Sequence, residues 1–149
     1  MPSVQDCELC SPIAGPVLWR DDRCRVILVA DPDYTGFCRV IWNSHVSEMT
    51  DLASIDQRHC MHVVLAVERA VRNVLKPYKI NLASFGNMTP HLHWHVMARD
   101  RDDAHFPQPV WGERQRATRH EADAESMARL REALASQLLN LLSKPLLNH

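Results

Sequence analysis

Residues 91–96 read His-Leu-His-Trp-His-Val. A strand repeats every two residues, so His91, His93 and His95 share one face, and Leu92, Trp94 and Val96 share the other. A helix would scatter the three rings, because residues i and i+2 do not face each other. Imidazoles make poor core filler, since each ring carries two nitrogens that need partners. Three on one face can ligate a metal, move protons or attack an electrophile. The plainer alternatives are a structural metal site or a buried polar row held by backbone.

Cys7-Glu8-Leu9-Cys10 is the second stretch with chemistry in it. A Cys-x-x-Cys pair is half of a zinc site, a redox pair, or two unconnected thiols. The redox role wants the pair at the start of a helix, and Ser11-Pro12 follows at once. Zinc needs about four ligands, so two more donors must come from elsewhere in the chain.

The run His-apolar-His-apolar-His-apolar, with Gly86-Asn87-Met88-Thr89-Pro90 before it, resembles the histidine triad proteins, which are nucleotide hydrolases and transferases. The resemblance extends over residues 7–111. It implies that His93, the middle histidine, is the nucleophile at an α-phosphorus, forming a nucleotidyl-histidine that water releases as a mononucleotide. His95 would contact a phosphate oxygen and the leaving group. His91 would orient the network. Asn87 stands where the family has a glutamine or similar residue, and its amide would donate to a phosphoryl oxygen as charge builds. Asn81, Ser84, Thr89 and Asp31 are further nucleotide-binding candidates. Asp31 would accept a ribose hydroxyl, although a turn is the commoner place for such an aspartate. In zinc-containing members, the ligands match Cys7, Cys10, His45 and His91. Such a zinc would be structural, because four protein ligands leave no open position for Lewis-acid work.

The elements that must position these residues follow from pattern. Residues 17–20 and 24–29 read as two strands around an Asp21-Asp22-Arg23 turn, and 37–43 as a third strand. Ile27 or Val29 would wall the base pocket. A helix is expected from about residue 51 or 54 to 75, with its covered stripe through Leu52, Ile55, His59, Met61 or His62, Ala66, Ala70 and Val74. Ser54 and Gln57 would form a capping box, and Pro77 enforces the end. His59 and His62 read as helix-surface or interface residues. Residues 79–85 and 91–98 complete the strands. Residues 99–103 alternate in charge and read as a solvated loop. Residues 104–112 are proline-spaced, and Phe106 and Trp111 need cover. Thr118 and Glu121 offer another capping box before a last helix to about residue 142, striped by Met127, Leu130, Leu134, Leu138 and Leu141. The expected class is α+β: a mainly antiparallel sheet of about five strands, a long helix on it, and a C-terminal helix. Residues 1–149 would form one domain, with 113–149 as a helical extension.

Composition removes other functions. The chain has 149 residues, 46% of them hydrophobic, enough for a real core. A net charge of −1 offers no basic field for nucleic acid. No run approaches ~20 apolar residues, so no membrane span is expected. The N-terminus lacks the basic flank and apolar core of a signal peptide. Five cysteines, an odd number, fit a reducing compartment, read as the cytoplasm. Neither a Walker A loop nor a dinucleotide-fold glycine pattern is present. The expected function is cleavage of a dinucleoside polyphosphate or nucleoside phosphoramidate at the α-phosphate. The expected ligand is a purine nucleotide or its conjugate, and the expected assembly is a homodimer. The alternative is a zinc-stabilised nucleotide-binding protein with little turnover.

Overall fold

The structure is a computed structural model that describes residues 6–11, 15–118 and 123–143, the side chains of 140–143 excepted. Apolar residues alternate along five segments, and each forms a strand: β1 (Val17–Arg20), β2 (Cys24–Leu28), β3 (Cys38–Trp42), β4 (Lys79–Ala83) and β5 (His93–Arg99). They make one antiparallel sheet in the order β1-β2-β3-β5-β4. Helices α1 (Ser54–Leu75) and α2 (Ala124–Ser143) complete the fold. This is the expected α+β architecture.

Register sorts the strand residues into two faces. Cys24, Val26, Cys38, Val40, Trp42 and Val96 are buried in the core shared with α1, and Trp94 packs against it. The opposite face carries two rows that cross the strands. One runs Ile27, Arg39, His95, Ala83, and the next runs Arg25, Ile41, His93. The triad therefore faces away from the main core, on a surface that, among the described residues, loops and the N-terminal segment cover.

α1 meets the core along a face broader than the expected stripe, of which Leu52, Ala66 and Ala70 are buried and Val74 packs against the core. Cys60, Val63, Val64, Ala66, Val67, Ala70 and Val71 are buried, whereas Ile55 is 39% exposed. The small and β-branched residues let the helix lie close on the sheet, while α2 packs Leu130, Leu134 and Leu138 into the same core. The Ser54–Gln57 capping box does not form. The N-cap is Ala53, with no side-chain cap, and the Gln57 amide donates to the Leu52 carbonyl instead. A 3-10 turn at Met49–Asp51 ahead of the helix carries a box of its own, between Glu48 and Asp51. α1 ends at Lys76 in the left-handed region (φ 48°), just before Pro77. At α2 the Asp123 carboxylate accepts from the Ser126 amide at 2.7 Å. The expected box of Thr118 with Glu121 falls partly outside the described residues, as does the Leu141 side chain.

Residues 99–103 are a solvated loop only in part: Arg101 and Asp102 are exposed in a turn, but the charges at either end are buried. Arg99 is 2% exposed and Asp103 1%. The Arg99 Nε donates to Asp103 Oδ2 at 2.7 Å, and its Nη2 donates to the carboxylate at 3.1 Å and to the Gln108 carbonyl at 2.7 Å. Charge alternation hid a pair in which each charge is the other's solvent. Asp103 also accepts from the His105 and Phe106 amides, which folds residues 104–116 back onto the triad face.

Candidate functional site

Two structural devices orient the triad, and both use backbone carbonyls. Pro90 and the turn before it keep His91 outside β5, yet the strand direction is already set there. The Leu92 amide donates to the Val46 carbonyl, and the Leu92 carbonyl accepts from the Trp42 amide. The His91 ring is fully buried, and its Nε2 lies 2.6 Å from the Trp42 carbonyl oxygen. A carbonyl only accepts, so Nε2 carries the proton and Nδ1 presents a lone pair. The same reasoning applies one step along the strand. His93 Nδ1 lies 2.6 Å from the His91 carbonyl oxygen, which makes Nδ1 the donor and leaves Nε2 with its lone pair. His93 and His95 both line an open cleft of about 660 Å3, within the range of nucleotide-sized sites.

Burial sets the charge of the site. It lowers the His93 pKa from its ordinary value; the His91 carbonyl opposes this, and the Arg39 guanidinium reinforces it. His95 falls to about 3, first by burial and then through His93 and Arg39. Both rings are neutral near pH 7, the state in which an imidazole nitrogen is nucleophilic. His95 packs in an aromatic cage, with ring centroids 4.8 Å from His93, 5.0 Å from Trp111 and 5.6 Å from Phe37.

His91 Nδ1 points at the two cysteines, 3.4 Å from Cys7 Sγ and 3.4 Å from Cys10 Sγ. His45 Nδ1 lies 3.3 Å from Cys10 Sγ. The four donor atoms all sit within 4.8 Å of one another. A tetrahedral zinc with ordinary Zn–S and Zn–N bonds spaces its sulfur and nitrogen ligands by about 3.6 Å. The cluster therefore suits a structural zinc ion in donor type, number and spacing. The Trp42 carbonyl on His91 Nε2 is the outer partner that ligating histidines ordinarily have.

The other expected site residues divide into two groups. Asn87 and Thr89 line the cleft, and the Thr89 hydroxyl donates to Glu8 Oε1 at 3.0 Å, which joins the triad loop to the cysteine segment. Asn81 lies on the triad face of β4, but its amide oxygen accepts from Arg99 Nη1 at 2.7 Å. The Ser84 hydroxyl donates to the His93 carbonyl at 2.7 Å, on the strand backbone, and Ser84 is not among the residues that line the cleft. Asp31 accepts from the Asp33 amide at 2.8 Å, the turn role. Ile27 is buried under Cys7 and Leu9.

Sequence reasoning missed Arg39, Glu8, Phe85 and the position of Trp111, all of which line the cleft. Phe85 and Trp111 meet edge to face at 5.0 Å and form its apolar wall. A strand of alternating apolar residues that carries one arginine on its other face, as Cys38-Arg39-Val40 does, was the available signal. His59 was also underread: its Nε2 lies 2.7 Å from Asp21 Oδ2, which ties α1 to the β1–β2 turn.

Comparison with known proteins agrees with this geometry. Residues 12–102, more than half of the chain, match the model described as HIT domain. The chain belongs to the HIT family, whose general chemistry is nucleotidyl transfer and hydrolysis. Among solved structures, it is similar to a histidine triad protein from Bradyrhizobium japonicum, with 28% identity and a TM-score of 0.69 over 84% of this chain and 91% of that one. A histidine triad protein from Marinobacter aquaeolei gives 25% identity and a TM-score of 0.68, over 87% and 92%. A Zn-bound histidine triad family protein from Mycobacterium smegmatis has the same fold, at 24% identity and a TM-score of 0.63, over 95% and 100%. A curated relative, the AP-4-A phosphorylase of Mycobacterium tuberculosis, is 28% identical over 104 residues, 66% of this chain and 53% of its own. The chain thus spans about half the length of the curated relatives it matches.

Proposed function

We propose that this protein is a nucleotide hydrolase or transferase that cleaves a purine nucleotide conjugate at its α-phosphate through a nucleotidyl-His93 intermediate. The observation that carries the reading is the 2.6 Å contact of His93 Nδ1 with the His91 carbonyl. It places the proton on Nδ1 and directs Nε2 to the cleft as a neutral nucleophile. Attack forms the Nε2–phosphorus bond and breaks the bond to the leaving group, with the electron pair departing on the leaving oxygen or nitrogen. Water then attacks the same phosphorus and gives a proton to solvent, the Nε2–phosphorus bond breaks with its electron pair returning to His93, and the nucleoside monophosphate is released, an amine leaving group having taken up its proton from solvent in the first step. His95 lies beside the reacting centre to contact a phosphoryl oxygen and the leaving group, and Asn87 has an amide to donate to developing charge. The substrate would be a dinucleoside polyphosphate or a nucleoside phosphoramidate. The name of the M. tuberculosis relative favours the former.

Zinc held by Cys7, Cys10, His45 and His91 would cross-link the N-terminal segment, the loop after β3 and the segment just before β5. The M. smegmatis structure, described as Zn-bound, supports this assignment. A homodimer is proposed through α1 and the free edge of β4, where Ile55 is 39% exposed, Leu65 36% and Leu82 37%. A reducing compartment such as the cytoplasm suits the five unpaired cysteines. Among the described residues, no helix is long and apolar enough to cross a membrane.

The test is release of AMP from an adenosine phosphoramidate and from a diadenosine polyphosphate by wild type and His93→Ala. Loss of at least about 1,000-fold in the variant, with AMP still bound, is expected. Normal turnover by the variant would overturn the reading.

A further inference from the structure

Arg39 is the one lysine or arginine among the described residues that line the cleft. It is the direct cross-strand partner of His95, and His93 is the partner of Ile41, two residues along on the same face. Direct partners on one face stand about 5 Å apart and diagonal ones about 7–8 Å, so both histidines lie within reach of an arginine arm. Its Nε is buried and has no hydrogen-bond partner. Among the described residues, no carboxylate forms an ion pair with it. Glu8, whose charge acts on Arg39, has Oε1 engaged with the Thr89 hydroxyl, and Asp6 lines the same cleft.

A half-buried guanidinium without an anion is costly, and an anionic ligand removes the cost. The planar fork pairs two N–H groups with two oxygens of a phosphate. We propose that Arg39 is a substrate-binding residue of the cleft, holding non-bridging oxygens of the phosphoryl group that His93 attacks. The proposal rests on the reading of His93 as the nucleophile at phosphorus. It makes the charge of the phosphate, not only the nucleoside, a determinant of what this chain accepts. It also gives Arg39 part of the negative charge that grows on those oxygens as the leaving group departs.

The experiment is calorimetric titration of AMP and of adenosine into wild type, Arg39→Gln and Arg39→Lys, with circular dichroism as a check on folding. In wild type, AMP binds at least about tenfold tighter than adenosine, and added NaCl weakens AMP more than adenosine. Arg39→Gln loses about ten- to hundredfold in AMP affinity, with a far smaller change for adenosine. Arg39→Lys recovers part of the loss, because the charge returns without the fork. Parallel weakening of AMP and adenosine, AMP affinity unaltered in Arg39→Gln, or salt-insensitive AMP binding would each overturn the proposal. The two readings fail separately. An Arg39-dependent preference for AMP without any adduct on His93 would sink the covalent mechanism alone. An adduct together with Arg39-independent AMP binding would sink this proposal alone.

Discussion

His91 is joined to His93 by its own backbone: the His91 carbonyl oxygen lies 2.6 Å from His93 Nδ1, while the His91 ring faces Cys7 and Cys10 at 3.4 Å. One residue thus belongs to both the cysteine–histidine cluster and the support of the His93 ring.

Replacing Cys7 by Ser should lower bound zinc from about one per chain toward none, and destabilise the fold by about 3 kcal/mol, or about 10 °C in Tm. Elemental analysis of protein purified without chelator, with thermal melts, measures both. Per folded molecule the remaining activity should fall much less than the zinc content. Wild type without zinc would contradict the assignment.

The Arg99–Asp103 pair should be needed for stability. Arg99→Leu strands a buried carboxylate and should cost about 3–5 kcal/mol in denaturant unfolding. Burial alone would raise the Asp103 pKa. The Arg99 bonds and the His105 and Phe106 amides outweigh that and bring it down to about 2. The folded value is below the ordinary 3.8, so the carboxylate stabilises the fold above about pH 4. That contribution is lost as pH falls toward 2. Asp103→Asn should therefore be less stable than wild type at pH 7 and lose less on acidification. An unchanged acid-side slope would contradict it.

Much of the fold was legible because strand alternation and helical period are local signals. The triad face, all five strands and both helices followed from them. What was not legible depends on contacts across the chain. Arg39 looks like the outward residue of a half-buried strand until β3 is known to pair with β5, two strands further on, which sets it beside His95. Arg99 and Asp103 look solvated until residues 104–116 fold over them. Asn81, named as a nucleotide-binding candidate, lies on the triad face, but its oxygen is taken up by Arg99, a partner that spacing does not announce.

Leu65→Glu on α1 should convert the proposed homodimer to monomer, because it places a charge in an apolar contact. Sedimentation equilibrium of wild type and variant reads this directly. A wild type that is monomeric at all concentrations would remove the dimer.

The most direct test of the central claim is intact mass after brief mixing with an adenosine phosphoramidate, quenched without acid because phosphorus–nitrogen bonds are acid-labile. Wild type should gain the mass of one adenylyl group and release AMP, and His93→Ala should do neither. An adduct of the same mass on the His93→Ala protein, with AMP released at the wild-type rate, would contradict the account.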